Sequence, residues 1–198
     1  GLTIGEYGKM VNGEKWLKNG VQAKYTIIPM LNYHKKQRYP ISEKPSPNLP
    51  NDQSINLYPS LCFFEGTQVS IGRGTDFPFQ VFGSPWLKNH PFKFTPKPNF
   101  GAKDPFLNGK ICNGEDLRNY PEIKEKLDLS FVINAYKNFD KKSQEFFLKN
   151  LWFDTLAGTD ELRKQIISGK SEEEIRNSWK QDLQNFEKIR TKYRIYQD

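Results

Sequence analysis

The residues with the clearest chemical potential lie in one run, Phe64-Glu65-Gly66-Thr67-Gln68-Val69-Ser70-Ile71-Gly72-Arg73-Gly74-Thr75-Asp76-Phe77-Pro78-Phe79. A carboxylate at Glu65 precedes an arginine that has glycine on either side. Glycine lets the backbone adopt conformations closed to other residues and approach a ligand closely. A guanidinium held on such a loop suits two-pronged recognition of a carboxylate. Glu65 can orient sugar hydroxyls or, if its surroundings favour the protonated form, act as a general acid. Thr67, Ser70 and Thr75 add hydroxyls. A plainer reading stands beside this one: a tight hairpin in which Glu65 and Arg73 close a structural ion pair. The G-x-G element alone says little, because the third glycine and helix start of a dinucleotide site are missing.

Other reactive residues carry less. His34 and His90 are the only histidines. Neither has a cysteine or paired carboxylate nearby, so both read as loop or surface residues. Ser70 lacks the context of a nucleophile elbow. Glu172-Glu173-Glu174 reads as a solvated helix N-terminus, where negative charge is favoured. Trp16 and Trp86 suit stacking on a sugar face, but equally suit a core. Cys62 and Cys112 have no CxxC spacing and no nearby histidine, which argues against zinc. Two buried thiols and one disulfide both remain open.

The elements that must position these residues follow from local pattern. Thr3 and Glu6 have capping-box spacing, which predicts a short helix with Tyr7, Met10 and Val11 facing inward. A helix cap as the first feature, without an initiator methionine, leads us to expect sequence upstream. Lys24 to Leu31 reads as a strand interrupted at Pro29. A long irregular region is expected from Asn32 to Tyr58, with Pro45-Ser46-Pro47-Asn48-Leu49-Pro50 as a stiff loop. Leu61 to Phe64 reads as a strand delivering Glu65 to a sheet end. Phe79 to Phe82, Phe92 to Thr95 and Gly109 to Cys112 read as further short strands. From Leu129 onward the apolar spacing becomes helical. Ser171 and Glu174 repeat the capping-box spacing, and Ile175, Trp179, Leu183, Phe186, Arg190 and Tyr193 fall on one helical face. The expected class is α+β: a small mixed β-sheet with long loops, packed by several C-terminal α-helices, in roughly one compact domain.

Bulk properties limit function. The chain has 198 residues, 14% of them aromatic, a composition of globular rather than disordered chains. No stretch approaches the roughly 20 apolar residues of a membrane span, and no charged-then-apolar leader opens the chain. The formal net charge of +7 favours anionic partners. The basic residues are scattered, however, and no nucleic-acid motif accompanies them, so nucleic acid is not an expected partner.

The run from Tyr58 to Leu87, YPSLCFFEGTQVSIGRGTDFPFQVFGSPWL, resembles the signature of the exo-β-N-acetylmuramidase family. So do the preceding Pro45 to Pro50 segment, the stretch from Phe153 to Thr159, the closing RTKYRIY and the opening LTIGE, so that the likeness covers nearly the whole chain. The resemblance implies that residues 1–198 form the C-terminal domain of a two-domain glycoside hydrolase. An N-terminal Rossmann-like domain is the implied partner, and the active-site pocket lies between the two. The implied activity is release of N-acetylmuramic acid from the non-reducing end of peptidoglycan fragments. It needs no cofactor or metal and implies an exported protein, periplasmic or extracellular. The principal catalytic glutamate is expected in the other domain, so this chain alone is expected to be inactive. Carried over by motif, Glu65, Thr67, Ser70, Arg73 and Thr75 line one wall of the pocket, with Ser46 and Asn48 on the stiff loop beside it. Arg73 is the candidate reader of the lactyl carboxylate that distinguishes muramic acid from glucosamine. Glu65 is either the second carboxyl of the reaction or a binder of substrate hydroxyls. The alternative is a non-catalytic saccharide-binding or dimerisation module of a cell-wall protein.

Overall fold

The computed structural model describes residues 1–121 and 126–197. Among these, the elements run α1 (Ile4–Gly13), α2 (Asp52–Leu61), β1 (Val81–Ser84), β2 (Phe92–Phe94), β3 (Cys112–Asp116), α3 (Ser130–Asn138), α4 (Trp152–Ala157), α5 (Glu161–Ile167), α6 (Glu172–Ser178) and α7 (Lys180–Thr191). The class is α+β. No helix among the described residues is long and apolar enough to cross a membrane. The chain divides into two compact units, one spanning Pro40–Ile175 and the other combining Gly1–Tyr39 with the chain from Arg176 onward.

The larger unit is organised on a three-stranded sheet of order β1-β3-β2, with both pairings antiparallel. Its core is an interlocked set of phenylalanines. Phe64 stacks on Phe82 at 4.8 Å between ring centroids, and Phe131 meets Phe82 edge-on at 6.0 Å. Phe153 of α4 packs on Phe63 at 5.6 Å and on Phe147 at 4.8 Å. Offset and edge-on aromatic pairs add about 0.5–1.5 kcal/mol beyond the area they bury. Asp154, next to Phe153, takes a two-pronged contact from Arg163, with Nε to Oδ1 at 2.8 Å and Nη2 to Oδ2 at 2.7 Å. That contact ties α4 to α5.

One loop expectation and one strand expectation change here. Residues 52–58, read as irregular, belong to α2. Asn51 caps it by accepting from Ser54 N–H at 3.0 Å, while the Ser54 hydroxyl serves the Asn51 backbone in return. The helix tolerates Pro59 inside it, and its inward face carries Ser54, Leu57, Ser60 and Leu61. Leu61 to Phe64 is not a strand. It closes α2 and enters a 3-10 turn over Cys62–Gly66. A short run of apolar residues does not by itself separate a buried strand from a buried helix.

The smaller unit is built around α1. Thr3 and Glu6 form the expected reciprocal cap. Lys24 to Leu31 forms no strand, and the bonds that fix this stretch are made to side chains at its two ends. Ala23 pairs both ways with the Asn12 amide, and Met30 N–H donates to the Tyr196 hydroxyl at 2.8 Å. The helical periodicity from Ile175 to Tyr193 is real but divided at Trp179 into α6 and α7. Ile175 is buried, whereas Leu183 and Phe186 are exposed. The Ser171–Glu174 cap is present in both directions.

Glu6 holds this unit together. Its side chain is fully buried. One oxygen accepts from the Thr3 N–H at 2.8 Å, and the other from the N–H groups of Ile195 at 2.7 Å and Tyr196 at 3.1 Å. Lys35 Nζ lies 3.2 Å away. Burial works against the charge, but these donors outweigh it and hold the carboxyl at about 2, down from 4.5. A carboxyl lowered in this way contributes stability that is fully present above its unfolded value and lost as pH falls through the folded one. We expect Glu6→Gln to cost about 1.5–3 kcal/mol near neutral pH in thermal unfolding. The gap between variant and parent should shrink as pH falls from 4.5 towards 2. A gap that stays constant across that window would assign the loss to packing rather than to charge.

Candidate functional site

Glu65 is delivered by a helix end. The Cys62–Gly66 turn continues α2, burying Phe63 and Phe64 in the aromatic core and leaving Glu65 half-buried at its edge. The chain then runs out as an extended segment clamped on both sides. Gln68 N–H donates to Phe146 O at 2.8 Å, and Ser70 exchanges two backbone bonds of 2.8 Å with Gly83 of β1. The turn after it carries Arg73. Gly72 and Gly74 sit at φ +77° and +81°, the left-handed region that side chains disfavour. A Cβ on Gly74 would lie 2.6 Å from Lys97 O and from the Pro105 ring. The glycines are therefore required by both torsion and space.

The turn aims Arg73 back at Glu65. Arg73 Nε and Nη2 both donate to Glu65 Oε1, at 3.2 and 2.7 Å. The guanidinium also lies over the Phe79 ring, 5.0 Å from its centroid. The pair is not sealed inside the fold, since the side chains are 37% and 24% exposed. Both line a cleft of about 230 Å³ with Val69, Ile71, Phe106 and Leu148. Among the described residues, Glu65 Oε2 and Arg73 Nη1 make no protein hydrogen bond. The cleft thus presents one anionic acceptor and one cationic donor on an apolar wall. That composition is typical of small-molecule sites, though the volume is below the roughly 300–1,000 Å³ of a complete one.

The other expected residues divide. Thr67 and Ser70 line the cleft, but their hydroxyls are engaged within the wall. Thr67 Oγ1 donates to Phe64 O at 2.8 Å and accepts from Val69 N–H, and Ser70 Oγ accepts from Gly72 N–H at 3.3 Å. Thr75 does not line the cleft. Its hydroxyl donates to Gly72 O at 2.6 Å and accepts from Phe77 N–H, bracing the arginine turn. Ser46 and Asn48 also lie outside the lining. Ser46 Oγ accepts from Asn48 N–H, and the Asn48 amide donates to Gly101 O at 2.8 Å. Phe106 lines the cleft and was not singled out by sequence, because an isolated phenylalanine in a polar loop carries no signal.

His90 lies in the loop between β1 and β2, as expected, but its imidazole is turned inward. Its side chain is 7% exposed and its Nδ1 lies 3.3 Å from Glu115 Oε1. Burial pushes the Glu115 carboxyl up, against the opposing pull of His90. Neither residue lines the cleft. Cys62 and Cys112 are free thiols, pushed up by burial to about 11 and about 12. No group of three or more His, Cys, Asp or Glu among the described residues could hold a metal ion.

The profile of "Exo-beta-N-acetylmuramidase NamZ, C-terminal" matches residues 56–196, and that of "Exo-beta-N-acetylmuramidase NamZ, N-terminal" matches residues 1–53. The chain belongs to the exo-β-N-acetylmuramidase NamZ family. The junction between the two NamZ matches falls at the start of α2. The peptidoglycan beta-N-acetylmuramidase NamZ of Bacillus subtilis (strain 168) is 33% identical over 99% of this chain and 50% of its own length. This chain therefore spans about half of that relative. A crystal structure of a DUF1343 family protein from Bacteroides fragilis NCTC 9343 is 44% identical, with a TM-score of 0.92 over all of this chain and 56% of that one. A second DUF1343 protein from the same organism has a TM-score of 0.72 at 18% identity and shares the fold.

Gly74→Ala should displace the arginine turn, because the new methyl meets backbone and proline on one side. We expect a loss of about 1–3 kcal/mol in denaturant unfolding. Unchanged stability would mean that the turn has room the structure does not show.

Proposed function

We propose that this chain is the C-terminal part of an exo-β-N-acetylmuramidase that removes N-acetylmuramic acid from the non-reducing end of peptidoglycan fragments. The Glu65–Arg73 cleft is one wall of its active-site pocket. The family's N-terminal, Rossmann-like domain completes the pocket. The observation that carries this reading is the paired, half-open Glu65 and Arg73, each with one polar edge left for a ligand. A neutral pair on an apolar wall matches a sugar that bears both hydroxyls and one carboxylate.

Glycosidases mostly use two carboxyl groups around an oxocarbenium-like transition state. Among the described residues lining this cleft, Glu65 is the only carboxylate. The cleft is thus suited to binding and orientation, and the second carboxyl comes from elsewhere in the enzyme. In its pairing with Arg73, Glu65 acts as an acceptor, which favours orientation of a substrate hydroxyl over donation of a proton. An exposed apolar face on the smaller unit, with Leu2, Ile4, Tyr7 and Phe186 around one open depression, supports a further domain in contact with this chain. Because peptidoglycan lies outside the cytoplasmic membrane, the reading includes export.

The test uses the full-length enzyme and chromogenic glycosides of N-acetylmuramic acid and N-acetylglucosamine. A charge-assisted contact to the lactyl carboxylate contributes about 1.5–3 kcal/mol, or roughly a 10- to 150-fold change in kcat/KM. Arg73→Ala should lose that factor on the muramic acid substrate alone, collapsing the preference between the two sugars. A preference left intact overturns the role of Arg73. In Glu65→Gln, both limbs of the pH–rate profile should keep their midpoints, and loss of a limb would instead make Glu65 a proton-transfer residue.

A further inference from the structure

We infer that Phe106 is a stacking platform, whose ring face receives the apolar C–H face of the sugar held at Glu65 and Arg73. This rests on the saccharide reading of the cleft and names a contact that reading does not contain. The first observation is how the ring is presented. Phe106 is 45% exposed and lines the cleft, while its neighbours Pro105 and Leu107 are both buried. Two anchored residues thus hold one large apolar side chain out of the core. Many phenylalanines of the larger unit interlock with one another, but Phe106 makes no ring contact with any described aromatic residue.

The second observation is the rigidity of its mount. Leu107 sits at φ +61°, a conformation that non-glycine residues hold only where their surroundings impose it. Asn108 N–H donates to Pro105 O at 3.0 Å and Gly109 N–H to Pro96 O at 2.8 Å, closing the turn around Phe106. The turn is also fixed to the one carrying Arg73. Lys97 N–H donates to Gly74 O at 2.8 Å, the Asn99 amide donates to Thr75 O at 3.2 Å, and Pro105 fills the space beside Gly74. Ring and guanidinium are therefore carried on two turns fastened to each other.

The third element is chemical. An aromatic face carries partial negative charge, which attracts the electropositive C–H groups of a pyranose. Glu65 and Arg73 supply directional contacts, and a flat ring supplies area without demanding a particular hydroxyl. Phe100, 91% exposed on the neighbouring turn, does not line the cleft and has no such position. Singly exposed apolar residues are common, so exposure alone would mean nothing. Phe106 is set apart by its buried flanks, the positive-φ turn beside it and the anchoring it shares with Arg73.

The test compares Phe106→Ala, Phe106→Leu and Phe106→Trp in the full-length enzyme on the chromogenic N-acetylmuramic acid glycoside, with thermal midpoints measured in parallel. We expect Ala and Leu to raise KM about 3- to 10-fold with little change in kcat or thermal midpoint. Trp should keep KM within about twofold of the parent. An unchanged KM in Phe106→Ala overturns the platform, as does a Leu variant that performs as well as Trp, since an apolar contact would then suffice. Arg73→Ala serves as the control for the underlying reading. Loss of sugar preference there, with Phe106→Ala silent, removes the platform and leaves the cleft's assignment standing. If Arg73→Ala is silent too, the saccharide reading itself fails.

Discussion

The contact between Arg73 and Glu65 is the point on which the larger unit converges. A charge brought out of full solvation needs a partner and hydrogen bonds, and each of these residues supplies the other's. Their joint placement requires a helix end, a clamped extended segment and a turn that only glycine can make. Because the pair is mutually neutralised, the cleft offers polarity without a strong field. A ligand entering the cleft then meets directional contacts and geometry rather than bulk attraction. The chain's net charge of +7 is spread elsewhere and does not define the cleft.

Around that pair, most candidate hydroxyls support the wall instead of the ligand. Thr67, Ser70 and Thr75 each satisfy backbone groups within two or three residues of themselves. Local bonds of this kind compete with regular secondary structure, which is why hydroxyl residues gather in turns. Here they help keep the stretch from Thr67 to Gln80, which has neither helix nor strand, in one shape. A motif rich in polar residues can therefore be rigid machinery, with few of its side chains left for chemistry.

What the sequence made legible was local and chemically specific. The reciprocal caps at Thr3–Glu6 and Ser171–Glu174 are visible because one residue type at one spacing satisfies particular backbone donors. Glu65 and Arg73 were visible together: the ion pair of the plainer reading is present, and both side chains line a cleft. The helix α2 was hidden because two of its inward residues are serines and it contains Pro59, so no apolar stripe marks it. The Leu61 to Phe64 run looks like a strand because Leu61, Phe63 and Phe64 are all buried, yet it closes α2 and enters a 3-10 turn. The stretch from Lys24 to Leu31 has strand-like residues, yet no strand among the described residues pairs with it. Phe106 is one of 15 phenylalanines, and its residue type alone does not distinguish it from the others.

The smaller unit joins the two ends of the chain, as shown by Glu6 with Ile195 and by Arg190 Nη1 donating to Gly1 O at 3.1 Å. The larger unit is a single contiguous stretch. During synthesis, domains form as their residues emerge. The contiguous unit has all its residues outside the ribosome first, while α1 waits with Glu6 lacking most of its partners. Assembly of the smaller unit is then a late step that brings together residues 189 apart in sequence. The slow growth of closure entropy with length makes such a step tolerable. Loss of the last few residues would leave the cleft's framework formed and the N-terminal helix stranded.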